Sequence, residues 1–231
     1  MKYASIPAIP MMLSVTAGYV DTAGYVALQG LFTAHVTGNF VTLGASLVSG
    51  SSGALAKLLA LPTFCVVIVL IRWLGLGLQA RGVPALRSLL TLKVVLLAAA
   101  AALALRFGPF LSSDGGPALV TGLTLVAAMA IQNAAQRIHL GSSPPTTLMT
   151  GTTTQMMIDI ADLTHGIAAD KAEAARARLM RMTASVAAFA FGCATAALLY
   201  ARVGIYCFLI PPLLGIGTLT LRMAPFETST L

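Results

Sequence analysis

The sequence predicts an all-α integral membrane protein: six transmembrane helices plus two short re-entrant or broken helices, arranged as two inverted repeats of three spans. Three observations predict it. The first is composition: 58% of the 231 residues are hydrophobic and only 9% are charged, against about 25% charged in an ordinary soluble domain. Seven acids and fourteen Lys/Arg cannot coat a globule of this size, so much of the surface must meet lipid. The second is charge placement. Windows 58–71, 94–105, 115–136, 182–201 and 203–221 carry no Asp, Glu, Lys or Arg. Each approaches the ~20 residues that a helix needs to cross ~30 Å of hydrocarbon. The third is an internal repeat, described below.

Spans are expected at 8–31, 58–79, 90–108, 117–138, 182–201 and 203–223. The first is a transmembrane helix rather than a signal peptide, because its apolar stretch continues past Asp21 to Phe32. Stretches 33–48 and 146–158 are Thr-rich or apolar but too short for a full crossing, which suits re-entrant half-helices. The breaks carry turn chemistry, as in Ser49 to Gly53, Gly82 to Pro84, Gly108 to Gly116 and Gly141 to Pro145. Residues 168–181, rich in helix formers and mixed charge, read as a surface helix at the membrane edge.

Loop charges set the topology. With both short segments returning to their own side and the N-terminus cytoplasmic, ten basic residues lie inside: Lys2, Arg81, Arg87, Lys93, Arg137, Lys171, Arg176, Arg178, Arg181 and Arg222. Three lie outside: Lys57, Arg106 and Arg202. Full crossings by both short segments would change the count to eight and five, so the positive-inside rule prefers the re-entrant arrangement. Arg72 falls within a span near its cytoplasmic end, where it can snorkel.

Residues 33–39 read T-A-H-V-T-G-N and residues 146–152 read T-T-L-M-T-G-T, so Thr33, Thr37 and Gly38 match Thr146, Thr150 and Gly151 at one offset. Each copy follows a long apolar helix that holds intramembrane polar residues: Asp21 in the first, Gln132 and Asn133 in the second. The chain therefore divides into a first transmembrane repeat, 1–110, and a second, 111–231. Three spans per half make the second half upside down relative to the first, the pattern of secondary transporters.

A carboxylate inside the bilayer costs several kcal/mol unless paired, hydrated or protonated. Asp21 is expected either to hold a proton, cation or cationic substrate, with Arg72 as a candidate partner, or to lock helix packing through hydrogen bonds to backbone or Thr22. Thr37, Gly38 and Asn39, with Thr150, Gly151 and Thr152, would sit at the breaks of the short segments. Gly lets the backbone leave helical geometry, Thr and Asn can cap freed amides, and exposed amides at a half-helix start can bind an anionic or polar group. The alternative is that Thr and Gly merely allow close helix packing. Gln132, Asn133 and Gln155 add neutral donors and acceptors suited to a polar solute.

No cofactor and no metal site are expected. His35 has no Cys, His or paired acid near it in sequence, and Cys65, Cys193 and Cys207 lie inside apolar runs as small hydrophobes. The chain is expected not to be an enzyme: there is no G-x-S-x-G, H-E-x-x-H or P-loop, and Asp159, Asp162 and His165 read as a solvated helix end. Nucleic acid is excluded as a partner, because the basic residues are scattered between apolar spans. The partners expected are membrane lipid and a small solute, with a homodimer plausible in so small a chain.

The strings G-Y-V-D-T-A-G-Y-V-A-L-Q-G-L-F-T-A-H-V-T-G-N at 18–39, A-I-Q-N-A-A-Q-R at 130–137 and T-G-T at 150–152 resemble the YoaK-like family of bacterial multi-pass inner-membrane proteins, a domain of unknown function sometimes labelled a putative transporter. The resemblance implies an inner-membrane location. It carries over to Asp21, Thr37, Gly38, Asn39, Gln132, Asn133, Thr150 and Gly151. The expectation is a secondary transporter of a small polar solute with its site between the two Thr-Gly segments. A passive channel and a non-transporting scaffold are the alternatives.

Overall fold

The computed structural model describes residues 8–50, 52–147 and 149–221, and all its regular elements among these residues are helical. In chain order they are α1 (Ala8–Ala27), α2 (Gly38–Ser49), α3 (Ala54–Ala80), α4 (Ala85–Phe107), α5 (Gly116–His139), α6 (Met149–His165), α7 (Ala169–Val203), a 3-10 turn (Gly204–Leu209) and α8 (Ile210–Thr220). Four stretches are long and apolar enough to cross a membrane: α3, α4, α5 and the continuous run from Ala169 to Thr220. α1 is not among them, since Asp21 and its small polar residues dilute its hydropathy. It is instead the most enclosed rod, with Leu13, Ala17, Tyr19, Val20 and Ala23 all buried.

Each helix follows from its residues and stops where they change. The chain leaves α1 through Gln29 and Gly30, both at positive φ, a conformation that turns the backbone sharply. α2 ends in left-handed Gly50, whose amide donates to the Ser46 carbonyl. Gly204, at φ 57°, ends α7. The expected surface helix 168–181 and span 182–201 are in fact one 35-residue helix. At 1.5 Å per residue it is about 52 Å long, far more than ~30 Å of hydrocarbon. Its charged first turns therefore overshoot the apolar part of the bundle, and α6 packs along it there.

Two ends of the bundle are defined by what meets there. At one, Ile9 and Leu13 of α1, Leu86 and Leu90 of α4, Leu140 just past α5, and Leu219 and Leu221 at the end of α8 cluster together. At the other, Gln29 donates to the Leu111 carbonyl, Asp114 accepts from the amides of Gly53 and Ala56 at the start of α3, and Gly108 sits against Ile205. The expected outside loop residue Lys57 belongs to the first turn of α3, buried, with its ammonium donating to Ser46 Oγ at 2.6 Å. Lys93, counted with the cytoplasmic charges at the edge of the expected span 90–108, is fully buried inside α4. Removing both from the loop count leaves the basic excess at the same end. Lys2 and Arg222 lie outside the described residues.

The closest helix pair is α1 with α7. A side chain on Gly18 would stand 2.1 Å from the Phe189 carbonyl oxygen, and one on Gly192 would stand 2.1 Å from that of Val15. Only glycine permits that approach, the small-residue packing that holds helices together where no hydrophobic drive separates them from solvent. Across the interface Ser14 and Ser185 share a hydrogen bond of 2.9 Å. Large apolar side chains on the outer surface, such as Leu47, Val48, Trp73, Phe191 and Leu198, are well exposed, which water would penalise and lipid does not.

Candidate functional site

Each short helix follows a buried fold-back segment, with Thr33, Ala34 and Val36 before α2 and Thr146 and Thr147 before α6, and the polar residues of the preceding long helix explain why. After α1 the chain doubles back so that Thr33, Ala34 and His35 lie beside Asp21. Asp21 Oδ1 accepts from the amides of Thr33 at 2.7 Å, Ala34 at 2.8 Å and His35 at 3.4 Å. Three successive N–H groups converging on one oxygen form an anion-binding concavity of the nest type. Asn39 closes the same loop: its Oδ1 accepts from the Phe32 amide at 2.9 Å, and its Nδ2 donates to the Phe32 carbonyl at 2.8 Å. α2 then runs out to Lys57 and the start of α3. Arg72, the expected partner of Asp21, is not one. It borders a different cavity with Asn133, and backbone amides take its place.

After α5 the chain doubles back in the same manner but on side chains. Gln132 Nε2 donates to the Leu13 carbonyl at 2.8 Å and to Thr146 Oγ1 at 3.1 Å, while its Oε1 accepts from Lys93 Nζ at 2.5 Å. Thr147 Oγ1 donates to Asn133 Oδ1 at 2.7 Å, and Gln136 donates to the carbonyls of Ser143 and Pro144. α6 starts from there and returns to α7, where Asp159 takes two bonds from Arg178 and one from Gln155. The Arg178 hydrogen bonds hold the Asp159 carboxyl below the usual carboxylate range.

The expected site residues do not converge on one place, and Asn133 borders the cavity of Arg72. Asp21 borders a cavity of about 300 Å³ with Thr22, Tyr25, Phe32 and His35. Thr150, Gly151, Thr152 and Gln155 border another of about 490 Å³, together with Pro145 and again His35. Gln132 and Asn39 are buried ties rather than lining. Thr37 and Gly38 do not line either cavity. Thr37 makes no capping bond, and the amides of Gly38, Asn39 and Phe40 are consumed by the carbonyls of His35, Val36 and Thr37. The expected anion site on free amides at the start of α2 is therefore absent. Gly38 is small for a steric reason, since a side chain there would meet the Phe32 ring at 2.9 Å.

Two residues with a place here escaped the sequence reading. His35 joins the two cavities, and only its position inside the repeated string pointed to it. Lys93 falls within the expected span 90–108 but counts there only as a cytoplasmic charge, and nothing in the sequence pairs it with Gln132. Among the described residues, no group of three or more His, Cys, Asp or Glu is placed to hold a metal.

Apolar rods of crossing length, a lipid-suited exterior and polar side chains turned inward define a helical membrane protein of the multi-pass kind. The family described as "Protein of unknown function (DUF1275)" matches residues 9–221, nearly the whole chain, so this protein belongs to that family. The YoaK-like resemblance agrees with it. No curated protein and no solved structure gives a match.

Proposed function

We propose that the protein is a small secondary transporter that passes a polar solute between its two fold-back segments. One observation carries this reading: His35 borders both the Asp21 cavity and the Thr150–Gln155 cavity. Polar groups from both halves of the chain thus line two neighbouring cavities on either side of one side chain, close to where the short helices begin.

The helix contacts support the inverted arrangement. Exchanging α1–α4 for α5–α8 turns the α1/α7 contact into α5/α3, α4/α5 into α8/α1 and α2/α3 into α6/α7, while α4/α8 maps onto itself. In this reading α1, α3 and α4 cross in one half, α5, α7 and α8 cross in the other, and α2 and α6 are re-entrant. The end rich in Arg81, Arg87, Arg137 and the first turns of α7 faces the cytoplasm, in a bacterial inner membrane, with both termini on that side. No catalysis is assigned to the chain, and a second copy would complete the enclosure of the path.

A non-transporting scaffold is the second reading, favoured by one fact: Asp21 is engaged by three backbone amides, which is a structural duty. Proteoliposomes with a trapped pH-sensitive dye, challenged with amino acids, polyols and small carboxylic acids, separate the two. A transporter gives solute-dependent proton flux that is lost in His35→Phe and Asp21→Asn proteins eluting as the parent does. Solute flux that ignores the proton gradient makes it a passive channel, and unchanged flux in Asp21→Asn removes that residue from coupling. Absence of any flux across the panel, with Asn39 and Asn133 substitutions lowering only thermal stability, favours the scaffold.

A further inference from the structure

A third cavity, of about 600 Å³, lies between α3 and α5, and Pro145 is the one lining residue it shares with the α6 cavity. Two arginines line it, Arg72 from the middle of α3 and Arg137 from the last turn of α5, and both are exposed. No acid does. Asp21 is taken by backbone amides, Asp114 by the amides that start α3, and Asp159 by Arg178. Among the described residues Arg72 forms no ion pair, although it stands in a helix apolar enough to cross a membrane, where an uncompensated cation is costly.

Two like charges around one void repel, and an anion between them turns repulsion into attraction. The planar guanidinium fork matches carboxylate and phosphate oxygens in pairs, which an ammonium does not. Gln136 and Thr147 add neutral polar groups to the lining, and Phe64 and Ile68 supply an apolar wall. Beyond it, within electrostatic reach of Arg72, His139 Nε2 is buried without a hydrogen-bond partner, so this corner of the molecule has polar capacity and positive charge left over. We propose that the cavity binds a small amphiphilic anion, its carboxylate or phosphate held between Arg72 and Arg137 and its apolar part against Phe64 and Ile68. The site shares no lining residue with the Asp21–His35 cavity, and it stands or falls without the transporter reading.

The test is calorimetric titration of the full chain in phosphatidylcholine nanodiscs with hexyl phosphate, hexanoate and hexanol at constant ionic strength. Both anions are expected to bind and hexanol is not. Arg72→Gln and Arg137→Gln are each expected to weaken binding at least tenfold. Arg72→Lys, which keeps the charge and loses the fork, falls between and serves if Arg72→Gln does not elute as a single species. Added phosphatidylglycerol that displaces hexyl phosphate identifies a lipid headgroup as the source of the anion, and failure to displace identifies a soluble one. Binding of hexanol as tight as that of hexyl phosphate, or unchanged anion affinity in a well-behaved Arg137→Gln protein, overturns the proposal.

Discussion

The two fold-back junctions share a geometry and differ in chemistry. At the first, one carboxylate gathers three backbone amides, and Asn39 ties both polar groups of the Phe32 backbone. At the second, neutral amide side chains tie hydroxyls, with Gln132 to Thr146 and Asn133 to Thr147, and the one buried charge is the cation Lys93. A carboxylate that accepts from N–H groups is indifferent to which residues supply them, whereas a Gln–Thr or Asn–Thr pair needs both side chains. The first junction therefore depends on the backbone path, and the second on specific partners.

The sharpest way to break the comparison is at Lys93 and Gln132. Gln132→Leu takes away the acceptor of Lys93 and also the donor to the Leu13 carbonyl and the Thr146 hydroxyl, and is expected to cost about 3–5 kcal/mol, more than the ~1–3 kcal/mol of one stranded buried group. Lys93→Met alone leaves only neutral Gln132 Oε1 without its donor, an expected loss of about 1–3 kcal/mol. The double variant relieves the stranded Lys93 group but not the lost bonds to Leu13 and Thr146, so it is expected to recover part of the Gln132→Leu loss. Thermal unfolding of the four proteins in one detergent reads the cycle. A double variant no better than Gln132→Leu means that Lys93 finds another partner, and that the second junction is not organised around it.

Next in size is Asp21. Asp21→Ala leaves the buried amides of Thr33 and Ala34 without an acceptor, at about 1–3 kcal/mol for each group stranded, so a loss of about 2–4 kcal/mol is expected. Asp21→Asn retains an oxygen in place and gives up only the charge-assisted part of bonds that are roughly twice as strong as neutral ones, so at least half of the loss is expected to return. Hydrogen exchange at Thr33, Ala34 and His35 locates the effect. Protection that persists in Asp21→Ala would show that the loop is held from elsewhere, by Asn39 first of all.

Much of this was legible in advance. The repeated Thr-Gly strings lie at the starts of α2 and α6, and the polar residues of α1 and α5 do tie the segments that precede them. What the spacing could not give was the direction of each bond. Thr33 and Thr146 match at one offset, yet the first is met through its amide and the second through its hydroxyl. Thr37 matches Thr150, but it stands outside both cavities while Thr150 lines one. Of the two roles weighed for Asp21, a charged partner in Arg72 or hydrogen bonds to backbone or Thr22, the bonds found are to backbone, and the amides come from the loop after α1. Lys57 was assigned to a loop, and Lys93 to the cytoplasmic edge of its span, because a charge next to an apolar window marks its end by convention, whereas both ammonium groups reach hydroxyl or amide oxygens inside.

The finest test sets Asn39 against Thr147, one tie from each junction. Asn39 is buried and satisfies two backbone groups of Phe32, both of which lose that partner once its side chain is cut back to Ala. Its loss is expected to cost about 1–3 kcal/mol. Thr147→Val keeps the shape and leaves only the Asn133 oxygen short of one donor, beside a cavity of about 600 Å³ where water can stand in. About 0.5–1.5 kcal/mol is expected there, the net worth of one ordinary hydrogen bond. The ordering matters more than either size. Backbone groups cannot be moved to a better partner without moving the chain, and a side chain beside a void can. If Thr147→Val proves the costlier in thermal unfolding, the second junction is the more tightly constrained of the two, and the distinction between backbone-held and side-chain-held junctions is the wrong one.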